Sequence, residues 1–219
     1  MMIGFALLLL LILFVVSTSA LNVVLAGGTG SVGRTLLPQL ADHQVVVLSR
    51  NAFLAAAPNR VTETFGYLGK ALLERNKHIT VRDWDAGDLL DTYGCDWVGW
   101  QQDCLPDADV VVHLTGGWTV QREMACERLL REAYAFCKGD NALLHITVNP
   151  RDDELDLVSP TIGKSIKQQR IAQCEAMVQA NAAHSQCLRV EANRVNDACD
   201  EIAAVIAKWA QEKATATTA

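Results

Sequence analysis

The sequence has no surplus of basic residues: 19 Lys and Arg stand against 25 Asp and Glu, for a formal net charge of −6 and a pI near 5.3. A chain of that sign lacks the cationic patch that a nucleic acid or an anionic membrane surface needs, so no nucleic-acid partner is expected. No two cysteines have the tight C-x-x-C spacing of a zinc or thioredoxin-like site, and the histidines, His43, His78, His113, His145 and His184, are scattered. No metal is therefore expected. There is no Asn-x-Ser/Thr sequon, no internal repeat, and no disordered or fibrous composition before Ala214–Ala219, which read as a frayed tail. Half the residues are apolar and a fifth are charged, which suits one globular domain with a real core.

Long apolar runs are confined to the start of the chain. Ile3–Val16 is almost wholly apolar and is followed by Ser17-Thr18-Ser19-Ala20, small residues that signal peptidase accepts. No Lys or Arg precedes the run, and it is shorter than the about 20 residues of a membrane span. Residues 1–20 read as a secretory signal cleaved near Ala20, which would put the protein in the secretory pathway, lumenal, secreted, or in an organelle reached through it. The alternative is an uncleaved anchor, the one case in which a membrane is a partner. Cysteines occur only beyond this segment. Cys95 and Cys104 bracket a short tryptophan-containing stretch that a disulfide could close in an oxidising compartment; the alternative is that the cysteines are buried small hydrophobes on helices.

From Leu21 to Lys213 short apolar runs alternate with helical patterns. The spacing predicts strands at Asn22–Ala26, Val45–Leu48, Ile79–Arg82, Val110–Leu114, Leu143–Val148 and Cys187–Val190. Helices are predicted at Ser31–Leu40, Val61–Arg75, Met124–Cys137, Ser165–Asn181 and Asp197–Lys213, with Pro38 a misfit inside the first. Strands that are apolar on both faces and alternate with helices imply an α/β fold, a doubly wound parallel sheet of about six strands.

The first strand runs directly into Gly27-Gly28-Thr29-Gly30-Ser31-Val32-Gly33. A dinucleotide pyrophosphate needs backbone amides at a helix N-terminus with no side chain in the way. Gly27 can take the tight turn, Gly30 can let the phosphate approach, and Gly33 can let the helix pack on the sheet. This is the glycine fingerprint of a Rossmann domain. At the end of the second strand, where an NAD site usually carries an acidic residue for the ribose 2′-hydroxyl, the chain has Ser49 and Arg50. A guanidinium suits a 2′-phosphate, so NADP(H) is expected in preference to NAD(H).

These residues resemble the short-chain dehydrogenase/reductase superfamily, in its extended or atypical, NAD-dependent epimerase/dehydratase-like branches. The glycine spacing carries the resemblance, together with Gly87-Asp88-Leu89 after the third strand and Asp109–Gly116 at the fourth. It implies that Asp88 and Leu89 contact the adenine and that Leu114, Thr115 and Gly116 lie under the cofactor. It also implies an oxidoreductase or epimerase-like activity on a small carbonyl substrate. Members of the superfamily carry a Tyr-x-x-x-Lys after the fifth strand; here Asn149–Lys167 contains Lys164 and Lys167 but no tyrosine. Lys164 or Lys167 would hold the nicotinamide ribose, with a hydroxyl such as that of Thr147, Ser159 or Thr161, or a water, as proton relay. The missing phenol, and a chain too short for a separate substrate domain, equally suit a non-catalytic dinucleotide-binding sensor or partner-binding module with no substrate. The stretch Asp91–Pro106, with Trp97 and Trp100, reads as a substitute lid or as a disulfide-pinned surface loop.

Overall fold

The computed structural model describes residues 20–57, 67–84, 86, 99–115, 120–138, 142–158, 160–191 and 193–217. Its strands are β1 (Asn22–Ala26), β2 (Gln44–Ser49), β3 (Ile79–Asp83), β4 (Val110–His113), β5 (Leu144–Pro150) and β6 (His184–Val190). They form a sheet in the order β3-β2-β1-β4-β5-β6, and every pairing is parallel. The helices are α1 (Ser31–Leu36), α2 (Ala52–Ala56), α3 (Lys70–Arg75), α4 (Trp100–Cys104), α5 (Val120–Phe136), α6 (Lys164–Asn181) and α7 (Val195–Thr217). This is the doubly wound architecture that the alternation of patterns implies, and its strand order reverses between β1 and β4. A crevice at the carboxyl ends of those two strands is the usual ligand position in such sheets.

Alternate residues of the strands feed two cores. Val23 and Leu25 of β1 point to one face with Leu36 and Leu40, covered by Ile202 and Ile206 of α7. Val24 and Ala26 point to the other with Trp100 and with Leu129 of α5. From Val23 onward β1 is buried, as are β4 and β5 along their lengths, which is why these strands read as mostly apolar runs.

Four sequence expectations need correction. The first helix ends at Leu36, and Leu37–Leu40 is a 3₁₀ turn with Pro38 near its start, where a missing N–H costs little. Of Val61–Arg75 only Lys70–Arg75 is helical among the described residues, while Ala52–Ala56 forms a helix that the apolar spacing did not reveal. Of the stretch Asp91–Pro106, Trp100–Cys104 is helical with Trp100 and Cys104 buried rather than on a surface loop, while residues 91–98, Trp97 among them, lie outside the described residues. The last helix runs on to Thr217, so Ala214–Thr217 is not a frayed tail. Asp109 anchors the later part of α7: its carbonyl accepts from Trp209 Nε1 at 3.2 Å and its carboxylate pairs with Lys213. Cys104 carries a free thiol, and Cys95 lies outside the described residues. No helix of the described residues is long and apolar enough to cross a membrane; Ile3–Val16 lies outside them.

Candidate functional site: the glycine turn and the strand-end crevice

The glycines divide by what surrounds them. Gly27 has φ +82°, and a Cβ there would lie 2.7 Å from the backbone of Leu114 and Thr115 as they leave β4. It needs glycine twice, for conformation and for the close approach of a neighbouring strand end. At Gly33 a Cβ would lie 2.2 Å from the carbonyl oxygen of Gly28, so glycine there lets α1 pack against the turn. Gly30 differs. Its backbone is extended (φ −76°, ψ 179°), and a Cβ would meet only the Gly27 carbonyl at 3.7 Å. Nothing within the described protein requires glycine at this position.

Gly30 is also the N-cap of α1, and no side chain caps that helix. The first amides of the helix, from Ser31, Val32 and Gly33, have no intrahelical acceptor by the geometry of a helix start. Thr29 is half-buried and Ser31 exposed, whereas Val32 is packed against the core and its carbonyl accepts from the Cys199 thiol at 3.3 Å. The turn is therefore a ring of backbone donors with an open side, and its open side is at Gly30.

At the end of β2, Ser49 is buried and its hydroxyl is spent within the loop. It donates to the Asn51 carbonyl at 3.2 Å and accepts from the Asn51 amide at 3.3 Å. Asn51 in turn caps α2, accepting from the Leu54 amide at 2.7 Å. Arg50 stands between them, exposed, and pairs with no carboxylate among the described residues. Ser49 and Arg50 stand together at the carboxyl end of β2, and of the two only Arg50 has no partner among the described residues.

At the other lip, the Leu114 amide donates to the Ala26 carbonyl at 2.8 Å and fixes the chain beside the glycine turn. The Thr115 carbonyl accepts from Arg122 of α5. The same guanidinium donates to the Val148 carbonyl at 3.0 Å and to Asn149 Oδ1. Arg122 thus ties the carboxyl ends of β4 and β5 together from a fully buried position, and burial lowers its pKa from the usual guanidinium value. Asn149 passes the network on, donating to Glu175 at 2.9 Å. Glu175 pairs with Arg189 at 2.7 Å, and Arg189 with Asp152 at 2.9 Å. None of this network was visible in the sequence, where its members are far apart and carry no motif.

The expected catalytic residues are placed as follows. Lys167 is buried, 1% exposed, and its ammonium donates to the carbonyls of Leu155 and Val158. It holds the loop after β5. Thr147 is 0% exposed in the middle of β5, paired in register with His113, and its hydroxyl has no partner among the described residues. Lys164 and Thr161 are exposed. His113 and His145 share the sheet face under α5, and burial depresses both. His145 falls to about 4 and His113 falls well below its usual value, so both are neutral near neutral pH. Tyr67 lies under the Arg34 guanidinium at 5.2 Å, and Tyr134 is exposed on α5, so neither replaces the missing phenol. Asp88, Leu89, Gly116, Trp118 and Ser159 lie outside the described residues. No group of His, Cys, Asp and Glu among the described residues could hold a metal ion.

This geometry defines a Rossmann-type fold with a glycine turn at its switch point. No protein-family model and no curated protein matches the sequence. Solved structures do resemble it. A short-chain dehydrogenase/reductase from Burkholderia vietnamiensis matches with a TM-score of 0.53 at 15% identity, over 79% of this chain and 84% of that one. The FolM alternative dihydrofolate reductase 1 of Brucella suis, in complex with NADP, matches with a TM-score of 0.55 at 11% identity, over 82% and 85%. The WbmF enzyme of Bordetella bronchiseptica, in complex with NAD+ and UDP, matches with a TM-score of 0.51 at 16% identity, over 80% of this chain and 50% of that one. The chain therefore has the fold of short-chain oxidoreductases and nicotinamide dinucleotide-binding enzymes, at identities that carry the fold and no finer property.

Proposed function

We propose that this chain binds NADP(H) at the glycine turn, in the manner of an atypical short-chain dehydrogenase/reductase, and that binding rather than hydride transfer is its function. The observation that carries the reading is Gly30. The packing explains Gly27 and Gly33 without a ligand, but not a glycine at an uncapped helix start with open space around it. A pyrophosphate accepting from the turn's amides supplies the reason. Gly27, Thr29, Gly30, Ser31, Val32 and Gly33 would hold it, Arg50 would meet the 2′-phosphate with Ser49 shaping the loop behind it, and Leu114 and Thr115 would line the nicotinamide side. Asp88, Leu89 and Gly116 complete the proposed set. The nicotinamide complexes among the solved structures of this fold support the cofactor class.

A bound nicotinamide would supply a hydride donor or acceptor. Among the described residues, the groups expected to supply the accompanying proton chemistry are engaged elsewhere. The Lys167 ammonium is engaged by two carbonyls, the Thr147 hydroxyl is sealed in the sheet, and no tyrosine of the described residues stands at the crevice. These observations favour a sensor or partner-binding role over an oxidoreductase or epimerase-like enzyme on a small carbonyl compound. Lys164, exposed at the first turn of α6, is the residue on which the enzymatic reading would have to rely. Following NADPH absorbance with a panel of small carbonyl compounds separates the two: tight binding without oxidation supports the sensor, and turnover supports the enzyme.

The secretory route belongs to the same proposal. Terminal sequencing of the mature protein is expected to begin near Leu21; a retained Met1 would refute cleavage and make the first segment an anchor. Free NADP(H) is scarce outside cells, so residence in a lumen reached through that route fits the binding proposal better than secretion.

A further inference from the structure

Two cysteines meet where α5 packs against α6. Cys126 and Cys174 are both buried, at 1% and 0% exposure, in one small apolar cluster with Leu130 and Val178. They are engaged reciprocally. The Cys126 thiol donates to the Cys174 carbonyl at 3.8 Å and the Cys174 thiol to the Arg122 carbonyl at 3.9 Å. Both thiols are free in this structure. Cys126 also borders a small cavity with His113, His145 and Val178.

We propose that Cys126 and Cys174 form an oxidisable pair that closes a disulfide between α5 and α6. The oxidant is a disulfide, either a protein disulfide-exchange partner or oxidised glutathione. The Cys174 thiolate attacks one sulfur of that disulfide and releases its other half as a thiol. The Cys126 thiolate then attacks the mixed disulfide and releases the second half. Two electrons pass to the oxidant, whose two sulfurs leave as thiols carrying the protons of Cys174 and Cys126. The two cysteines can exchange places in this sequence, because either order passes through one mixed disulfide and ends in the same bridge. Both sulfurs are sealed in the folded protein, so exchange takes place as α6 docks during folding, and the closed bridge resists small reductants afterwards. The consequence reaches the crevice by a short path: Cys126 is one helical turn from Arg122, whose guanidinium holds the ends of β4 and β5.

The test is refolding of the full chain, reduced and denatured, in a glutathione redox buffer, followed by acid quench, alkylation under denaturing conditions and peptide mapping. Trypsin leaves Cys174 and Cys187 on one peptide, so a second cut after Glu175 is needed to separate them. The expected result is a peptide pair joined through Cys126 and Cys174, with a thermal midpoint about 10 °C above that of the alkylated, reduced chain, from the loop that the bridge closes. Cys126→Ser and Cys174→Ser are expected to remove the gain, and Cys187→Ser to leave it. Recovery of Cys126 and Cys174 as alkylated thiols, or as partners in other bridges, would overturn the proposal. If the serine variants fail to fold, the map of the unsubstituted chain decides. Cofactor binding enters none of these readouts, so this proposal and the NADP(H) reading can fail separately.

Discussion

A Cβ on Gly33 would lie 2.2 Å from the carbonyl oxygen of Gly28, whereas one on Gly30 would touch nothing closer than 3.7 Å. Two glycines of one motif thus answer to different constraints, one set by the fold and one, on the proposed reading, by a ligand, and substitution should separate them. Gly33→Ala forces α1 off the turn and is expected to destabilise the protein by about 3 kcal/mol, as overpacking does. Gly30→Asp is expected to leave stability unchanged or raise it by up to about 1 kcal/mol, since Asp is a favoured N-cap and suits the helix dipole. The same change should lower NADPH affinity on the order of a hundredfold, because a carboxylate then occupies and repels the pyrophosphate position. Thermal melts and cofactor titrations on both variants check the split.

Arg50 should set the choice between cofactors. Arg50→Glu is expected to weaken NADPH binding about tenfold or more, the value of a charge-assisted pair, while leaving NADH within about threefold. Parallel fluorescence titrations measure it. Equal loss for both cofactors would remove Arg50 from the 2′ site.

Lys167 should behave as a strut. Lys167→Ala leaves the carbonyls of Leu155 and Val158 without their buried donor and is expected to cost about 2–3 kcal/mol of stability, read by denaturant melts. Lys164→Ala, at an exposed position, should change stability by less than about 0.5 kcal/mol. The reverse ranking would contradict the placement of both residues.

The sealed hydroxyl of Thr147 gives a complementary test. Thr147→Val replaces an unpartnered buried polar group with a methyl of similar size and is expected to be neutral or stabilising by about 1 kcal/mol. NADPH affinity should not change. A loss of binding with an intact fold would return Thr147 to the site.

Acid should weaken the fold through the buried histidines. Burial holds His145 at about 4 in the folded state, below its ordinary 6.5, so the unfolded chain binds the proton first. The stability tied to the neutral ring is complete above about pH 6.5 and is lost as pH falls toward 4, by about 3 kcal/mol in all for this one residue. His113 is depressed in the same direction and adds to the loss. Denaturant midpoints measured across this pH range should fall, and His145→Phe should flatten the slope. A midpoint that holds steady down to pH 4 would contradict the burial of these rings.

The features that could be read in advance are local ones. β1 was legible to its end residues because an apolar run closed by Gly27 has one reading, and the roles of Gly27 and Gly33 follow from a strand–turn–helix connection that glycine alone permits. The lysines were legible as positions and not as directions: a lysine at the start of α6 can turn toward the crevice or back under the preceding loop, and only the loop's path decides that Lys167 does the latter. Arg122 and Asn149 are 27 positions apart and meet because β5 pairs with β4, a tertiary fact. The 3₁₀ turn at Pro38 was half visible, since the proline's misfit was plain but its resolution depended on where Leu37 and Leu40 find the core.

Calorimetric titration of the mature, folded protein with NADPH and then NADH, repeated on Gly30→Asp, tests the reading of the glycine turn most directly. NADPH should bind saturably, NADH about tenfold or more weakly, and the variant should lose both while melting at or above the temperature of the parent. Failure of either nicotinamide cofactor to associate at millimolar concentration with well-folded protein, or undiminished binding by Gly30→Asp, would contradict it.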